Sequence, residues 1–256
     1  MVGIYFSGTG NTKYCVEEYV NFSVSKGRFF SIEDPDVKKA FASEENEVIV
    51  LGFPSHNGDL PLIVKDFLEK NKNSFSGREV MIIVTMAKVS GDCAGRCAKL
   101  LKSYGAQIQG TVHIKMPDIR ADVEKRFTSI YQNQTIVNEA KSRIHTIIID
   151  MKRGKFPSDG TSTLDKIAGK LNKGITKESV SKITIDPKKC NKCQECIAIC
   201  PTKTLSFQQL KIVANDNCTY CYRCVNTCKK KAITILGKEV DEQSTIQMYL
   251  KEENKD

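Results

Sequence analysis

The sequence predicts an α/β protein built as a doubly wound parallel five-stranded sheet, followed by a small α+β domain rich in cysteine. Three observations lead there. Apolar strands alternate with amphipathic helices over residues 1–152. A short Ser/Gly/Thr loop separates the first strand from the first helix. Eight of the 11 cysteines crowd between Cys190 and Cys228.

The first strand is the apolar run 2–6, and residues 12–26 follow with Cys15, Tyr19 and Phe22 at helical spacing. Residues 28–32 supply a second strand. Residues 48–53 are almost continuously apolar, as a strand buried on both faces requires. A helix over 61–70 opens on a proline, where the missing N–H costs nothing. A second buried strand covers 80–86, and a helix over 91–104 ends at Gly105. The last strand is 107–116, and 122–151 hold one or more helices. From 153 to 182 Gly, Ser, Lys and Thr dominate, which predicts a linker with room for one helix. Residues 183–236 form the second domain, and 237–256 a polar, partly helical tail.

The cysteines carry an internal repeat. Cys190, Cys193, Cys196 and Cys200 recur 28 positions later as Cys218, Cys221, Cys224 and Cys228. Leu205 and Phe207 recur as Ile233 and Ile235, so each run is followed by a strand. Two intervening residues let successive thiolates wrap one corner of an iron–sulfur cube, while the fourth cysteine of each run reaches the other cluster. Cys190, Cys193, Cys196 and Cys228 then serve one [4Fe–4S] cluster, and Cys218, Cys221, Cys224 and Cys200 the other. Tetrahedral zinc uses paired C-x-x-C motifs and needs no third cysteine per run. The segment 183–236 resembles a bacterial-type two-cluster ferredoxin. Pro201 fits that pattern. Lys229 stands where the second proline is expected; it should alter the local turn, and its charge favours the reduced cluster.

Three loops follow the carboxyl ends of strands, where open α/β sheets bind ligands. They are Ser7-Gly8-Thr9-Gly10-Asn11-Thr12, a second containing Pro54-Ser55-His56-Asn57, and a third containing Thr85, Met86 and Gly91. The first suits a phosphate, since backbone N–H groups, hydroxyls and a helix N-terminus converge there. It is neither the dinucleotide fingerprint nor the Walker loop. Together the loops resemble those of the flavodoxin family over residues 1–151. That resemblance implies that Ser7, Gly8, Thr9, Gly10, Asn11 and Thr12 bind an FMN phosphate. It also implies that Pro54, Ser55, His56 and Asn57 flank one side of the flavin, and Thr85, Met86 and Gly91 the other. FMN is favoured over FAD because nothing resembles an adenylate-binding domain. The chain has no Trp, and the third loop has no aromatic residue to cover the ring. His56 either contacts the flavin or is simply a polar loop residue. His113, His145, Cys15, Cys93 and Cys97 read as structural.

The formal charge of +9 would fall to about +3 with two clusters and FMN bound, and no aromatic-studded basic stripe points to nucleic acid. No apolar run approaches a membrane span and no signal pattern opens the chain, so a cytoplasmic location is expected. The whole is similar to fused flavodoxin–ferredoxin proteins of anaerobic bacteria, archaea and some protists. Membership implies low-potential electron transport between the clusters and FMN. Redox partners such as a ferredoxin, a hydrogenase or a pyruvate-oxidising enzyme would follow, docked on lysines that include Lys229, Lys230 and Lys231. The alternatives are an oxidoreductase acting on a quinone, nitro compound or oxygen, and a redox or oxygen sensor. A homodimer could instead bring one chain's clusters to the other chain's flavin.

Overall fold

The computed structural model describes residues 1–42, 47–56, 58–88, 90–123, 128–161 and 183–250. Asn57 and the helix expected in the linker lie outside the described residues. Five parallel strands, β1 (Val2–Tyr5), β2 (Arg28–Ser31), β3 (Ile49–Pro54), β4 (Glu79–Met86) and β5 (Gln107–Lys115), form one sheet in the order β2-β1-β3-β4-β5. This is the flavodoxin-like variant of the doubly wound fold, with its switch point between β1 and β3. Central β3 and β4 are sealed on both faces, which is why their sequences read as unbroken apolar runs.

Alternate residues of these strands serve different cores. Ile4, Leu51, Phe53, Ile82 and Val84 pack against α2 (Leu62–Lys70) and α3 (Cys93–Ser103). Val50, Met81, Ile83, Val112 and Ile114 pack against α1 (Asn11–Ser23) and α4 (Ile130–Lys152). Cys15, Cys93 and Cys97 are fully buried in these cores, as small apolar side chains often are. Helix α4 starts later than residue 122 because Ser129 and Gln132 form a reciprocal capping box. Beyond α4 the chain returns to the sheet edge, where Ser158 bridges Thr111 in parallel.

The cysteine-rich part is built from two halves. β6 (Thr184–Ile185) pairs antiparallel with β9 (Ile233–Thr234), and β7 (Leu205–Gln208) with β8 (Lys211–Ala214). Helices α5 (Glu195–Ala198) and α6 (Arg223–Thr227) carry the third cysteine of each run. The repeat extends to the backbone. Lys192 and Gln194 have φ of 61° and 62°, and Tyr220 and Tyr222, 28 residues on, have 53° and 59°. Four non-glycine residues held left-handed cost about 1–3 kcal/mol each, and such strain gathers at functional sites. Lys203 and Lys231 also match, at 49° and 48°, so Lys229 changes the charge after its run and leaves the turn as it is.

The two parts are packed together. Asp122, fully buried, accepts the amides of Ile235 at 2.5 Å and Leu236 at 2.6 Å. Asn226 donates to the Ile119 carbonyl at 2.8 Å. The chain then turns back: Ile246 and Tyr249 join the core under α1 and α4, and the Ile246 amide donates to the Thr9 carbonyl at 3.0 Å. No described helix is long and apolar enough to cross a membrane.

Candidate functional site

The thiols fall into two sets, and each set draws on both runs. Cys190, Cys193, Cys196 and Cys228 line one cavity, and Cys224, Ile185, Ile212 and Ile233 are also part of its wall. Burial pushes the Cys196 thiol up to about 11, and the charges of Cys228, Cys193 and Cys190 add to the effect. The Cys221 thiol is also pushed up to about 11 by burial. Its own neighbours are Cys218 and Cys200, with Arg223 acting in the opposite sense. Burial raises Cys224 further, followed by Cys221, Cys218 and Cys200 and then by Cys196 of the first set, whose cavity it also lines. Cys200 behaves differently. Burial acts to raise it, but the amides of Thr204, Thr202 and Leu205 and the Thr202 hydroxyl outweigh burial and hold it below the ordinary thiol value. Amide-to-sulfur bonds repeat with the sequence: Thr204 N–H to Cys200 Sγ at 3.2 Å, and Ala232 N–H to Cys228 Sγ at 3.4 Å.

At the carboxyl edge of the sheet, Gly10 takes a left-handed φ of 95° and opens α1 without any side-chain cap. The first-turn amides of α1 are therefore left for another acceptor. Gly10 N–H donates to Ser7 Oγ at 3.1 Å, which curls the loop on itself. Thr12 and Thr85 share a hydroxyl hydrogen bond of 2.7 Å, and Asn11 donates to the Pro117 carbonyl at 3.0 Å. The Ser55 amide donates to the Thr85 carbonyl at 2.8 Å, joining the second and third loops. His56 and Asp59 exchange two backbone bonds of 2.9 Å around a tight turn. Arg96 of α3 braces that turn through the Gly58 carbonyl and Asp59, while also pairing with Asp92. Thus Ser7 to Thr12, Pro54 to His56, Thr85, Met86 and Gly91 all lie at one edge of the sheet, in strand ends, the loops that follow them or the start of α1. Thr9 Oγ1, Asn11 Oδ1, His56 Nε2 and Thr219 Oγ1 are buried there without a hydrogen-bond partner. A buried polar atom left unpaired costs about 1–3 kcal/mol, and four such atoms gather in these neighbouring segments.

The second cysteine run sits directly on this edge. A Cβ added to Gly8 would lie 2.0 Å from the Cys221 carbonyl oxygen, and one added to Gly10 would lie 2.2 Å from Ile246 Cγ2. Cys221 belongs to the same apolar cluster as Phe6 and Phe53. Arg223 reaches the carbonyls of Ser7 at 2.9 Å and Gly8 at 3.4 Å, the Ile199 carbonyl at 3.0 Å, and both oxygens of Glu33 at 2.7 and 2.8 Å.

The half-buried His56 lies against the Thr219 backbone, and its Nε2 is closed off from water. Burial lowers its pKa to about 4, with the Thr219 backbone opposing weakly. The ring is therefore neutral at pH 7. Because the folded value lies below the ordinary 6.5, the stability it confers is complete above about 6.5 and is lost as pH falls toward 4. Replacing His56 by Gln is expected to flatten the wild-type stability loss across that window, measured by urea unfolding at stepped pH. An unchanged slope would show that His56 does not contribute.

The sequence reading missed Arg223, Glu33, Arg96, Asp122 and Ile246. One signal for Arg223 was available: it occupies the repeat position of Glu195, so the charge reverses between the two runs. Lys229 pairs with Glu195 at 3.7 Å but is 84% exposed, so the pair contributes little. His145 stacks on Phe22 and pairs with Glu18 at 2.6 Å, a helix-packing role.

A family described as the 4Fe-4S dicluster domain matches residues 182–229. A ferredoxin from Methanothermococcus thermolithotrophicus is 40% identical over 57 residues, which are 21% of this chain and 95% of that protein. The two-electron reduced flavodoxin of Megasphaera elsdenii is similar in structure at 23% identity and a TM-score of 0.41, over 56% of this chain and 99% of its own. A flavodoxin from the domain Archaea gives 18% identity and a TM-score of 0.42, over 59% and 97%. Strand order, rather than these distant likenesses, defines the first part's fold. An iron–sulfur electron-transfer module fused to a flavodoxin-like sheet is the class of protein that emerges. Through its C-terminal part the chain belongs to the ferredoxin family.

Proposed function

We propose that the chain is an electron-transfer flavoprotein that relays electrons between two [4Fe–4S] clusters and FMN. The observation that carries this reading is the seat of the second cysteine run on the phosphate-type loop, where Cys221 touches Gly8. The residues fit both groups. Cys190, Cys193, Cys196 and Cys228 would hold one cluster, and Cys218, Cys221, Cys224 and Cys200 the other. Among the described residues no His, Cys, Asp or Glu side chains converge as one metal ion needs, whereas thiolates around a cube stand further apart. Ser7, Thr9 and Thr12, with the uncapped N-terminus of α1, would take the flavin phosphate. The loops of Pro54 to His56 and of Thr85 to Gly91 would border the ring. Clusters carry single electrons, and a flavin accepts one or two, which lets one-electron partners feed a two-electron step.

The rest follows from this chain's own residues. Cys193 is exposed while Cys221 and Cys224 are buried, so the first set faces solvent and the second faces the loops. A partner would meet Cys193 and exchange with the flavin through the inner set. Lys188 and Lys192 beside the first run, and Lys230 after Cys228, are exposed and suit an acidic low-potential redox protein, such as a ferredoxin, a hydrogenase or a pyruvate-oxidising enzyme. The contact of Cys221 with its own chain's loop favours a relay within one chain. Neutral His56 and the packed Thr219 backbone would keep water from the junction.

Anaerobically purified protein is expected to hold about eight iron and one FMN per chain. Reduced ferredoxin should reduce the flavin much faster with the clusters present than after their removal. A colourless zinc protein, or equal rates with and without clusters, would end this reading.

A further inference from the structure

The guanidinium of Arg223 has every donor committed. Nη1 donates to Glu33 and to the Ile199 carbonyl, Nη2 to Glu33 and to the Ser7 carbonyl, and Nε to the Gly8 carbonyl. An arginine has five N–H groups, and all five are used. Glu33 also balances its charge, and the pair is mostly withdrawn from solvent. Arg223 is thus not available to bind a phosphate itself.

What it does is fix two peptide planes. In a trans peptide the carbonyl and the following N–H point to opposite sides. Pinning the carbonyls of Ser7 and Gly8 toward Arg223 turns the N–H groups of Gly8 and Thr9 away from it, to the opposite side of the loop. Gly10, left-handed and bonded to Ser7 Oγ, and the uncapped first turn of α1 continue the same loop. Successive N–H groups in such a turn form an anion-binding nest. From the other side, the bond to Ile199 ties the same guanidinium to the residue before Cys200.

We propose that Arg223, a residue of the cluster-binding part, is a positioning residue that presets the phosphate nest for the flavin. Flavin retention in this protein then depends on a side chain from the iron–sulfur module, and cluster loss that frees Arg223 weakens flavin binding through the phosphate alone. This inference rests on the FMN reading above.

The test compares FMN with riboflavin, which lacks the phosphate, on flavin-stripped protein that retains its iron. Flavin fluorescence quenching gives both affinities. Arg223→Gln is expected to weaken FMN about tenfold and leave riboflavin within about twofold, the loss of preorganised donors to one charged group. Arg223→Lys keeps the charge but not the fork, and should fall between. Iron content and the reduction potential of the inner cluster are measured on each variant, and Arg223→Lys serves where Arg223→Gln does not hold its iron. Equal weakening of FMN and riboflavin would assign Arg223 a purely structural role and overturn the proposal. Unchanged FMN affinity would overturn it as well. Wild-type protein that binds no FMN would instead sink the flavin reading. Should riboflavin bind neither protein, inorganic phosphate replaces it. Its protection of the stripped wild type against thermal unfolding should shrink in Arg223→Gln, and equal protection would refute the proposal.

Discussion

Cys193→Ala/Cys228→Ala is expected to keep about half of its iron, whereas Cys193→Ala/Cys200→Ala loses nearly all of it. The first pair draws on one thiol set, although its members lie in different runs. Cys228 lines one cavity with Cys190, Cys193 and Cys196, while Cys200 and Cys218 both act on the Cys221 and Cys224 thiols. On the proposed assignment, removing Cys193 and Cys228 would strip two ligands from the outer cluster and none from the inner. Removing Cys193 and Cys200 strips one from each. If each run instead served its own cluster, Cys193→Ala/Cys228→Ala would damage both sites and Cys193→Ala/Cys200→Ala only one. Iron and sulfide analysis with electron paramagnetic resonance of the reduced protein reads the result. The amide bonds at Thr204 and Ala232 argue that the fourth thiols are preset, since each is held from the strand-side turn that follows its run.

Much of this architecture is written locally in the chain, and the parts that are not have a common physical reason. Strands and helices announce themselves by period, because each buries one face or two, and the five strand positions follow directly. The cysteine runs are equally plain, since ligand spacing is a local property. Docking is not local. Arg223 meets Ser7 across 216 positions, and Asp122 meets Leu236 across 114. Asp122 stands in a run with helical composition, and only its partners show that it receives two amides instead. Ile246 and Tyr249 lie in one short, largely apolar stretch, 246–250, of an otherwise polar tail, too brief to declare a buried segment. The left-handed turns at Lys192, Gln194, Tyr220 and Tyr222 carry no glycine or asparagine to betray them. They are held by the packing of the cysteine loops and would be costly without it.

The junction itself predicts the second large effect. Gly8→Ala should destabilise the flavin-free protein by about 1–3 kcal/mol and slow flavin reduction through the clusters severalfold or more, with little change in direct reduction by dithionite. The argument rests on what the new methyl would meet. Its carbon would sit 2.0 Å from the Cys221 carbonyl oxygen and 3.0 Å from the carbonyl carbon. Both are backbone atoms of Cys221, so neither can rotate aside as the end of a side chain could. Gly8 itself has no left-handed φ, unlike Gly10, so alanine costs nothing in backbone conformation there. In open space the change would even stabilise slightly, by restricting the unfolded chain. The sign of the effect is therefore diagnostic. Destabilisation together with slower cluster-to-flavin transfer means that the loops must part to admit one methyl. Stability equal to or above wild type, with unchanged transfer, would mean that Cys221 does not rest on the phosphate loop in solution, and the short path between the two centres would be lost with it.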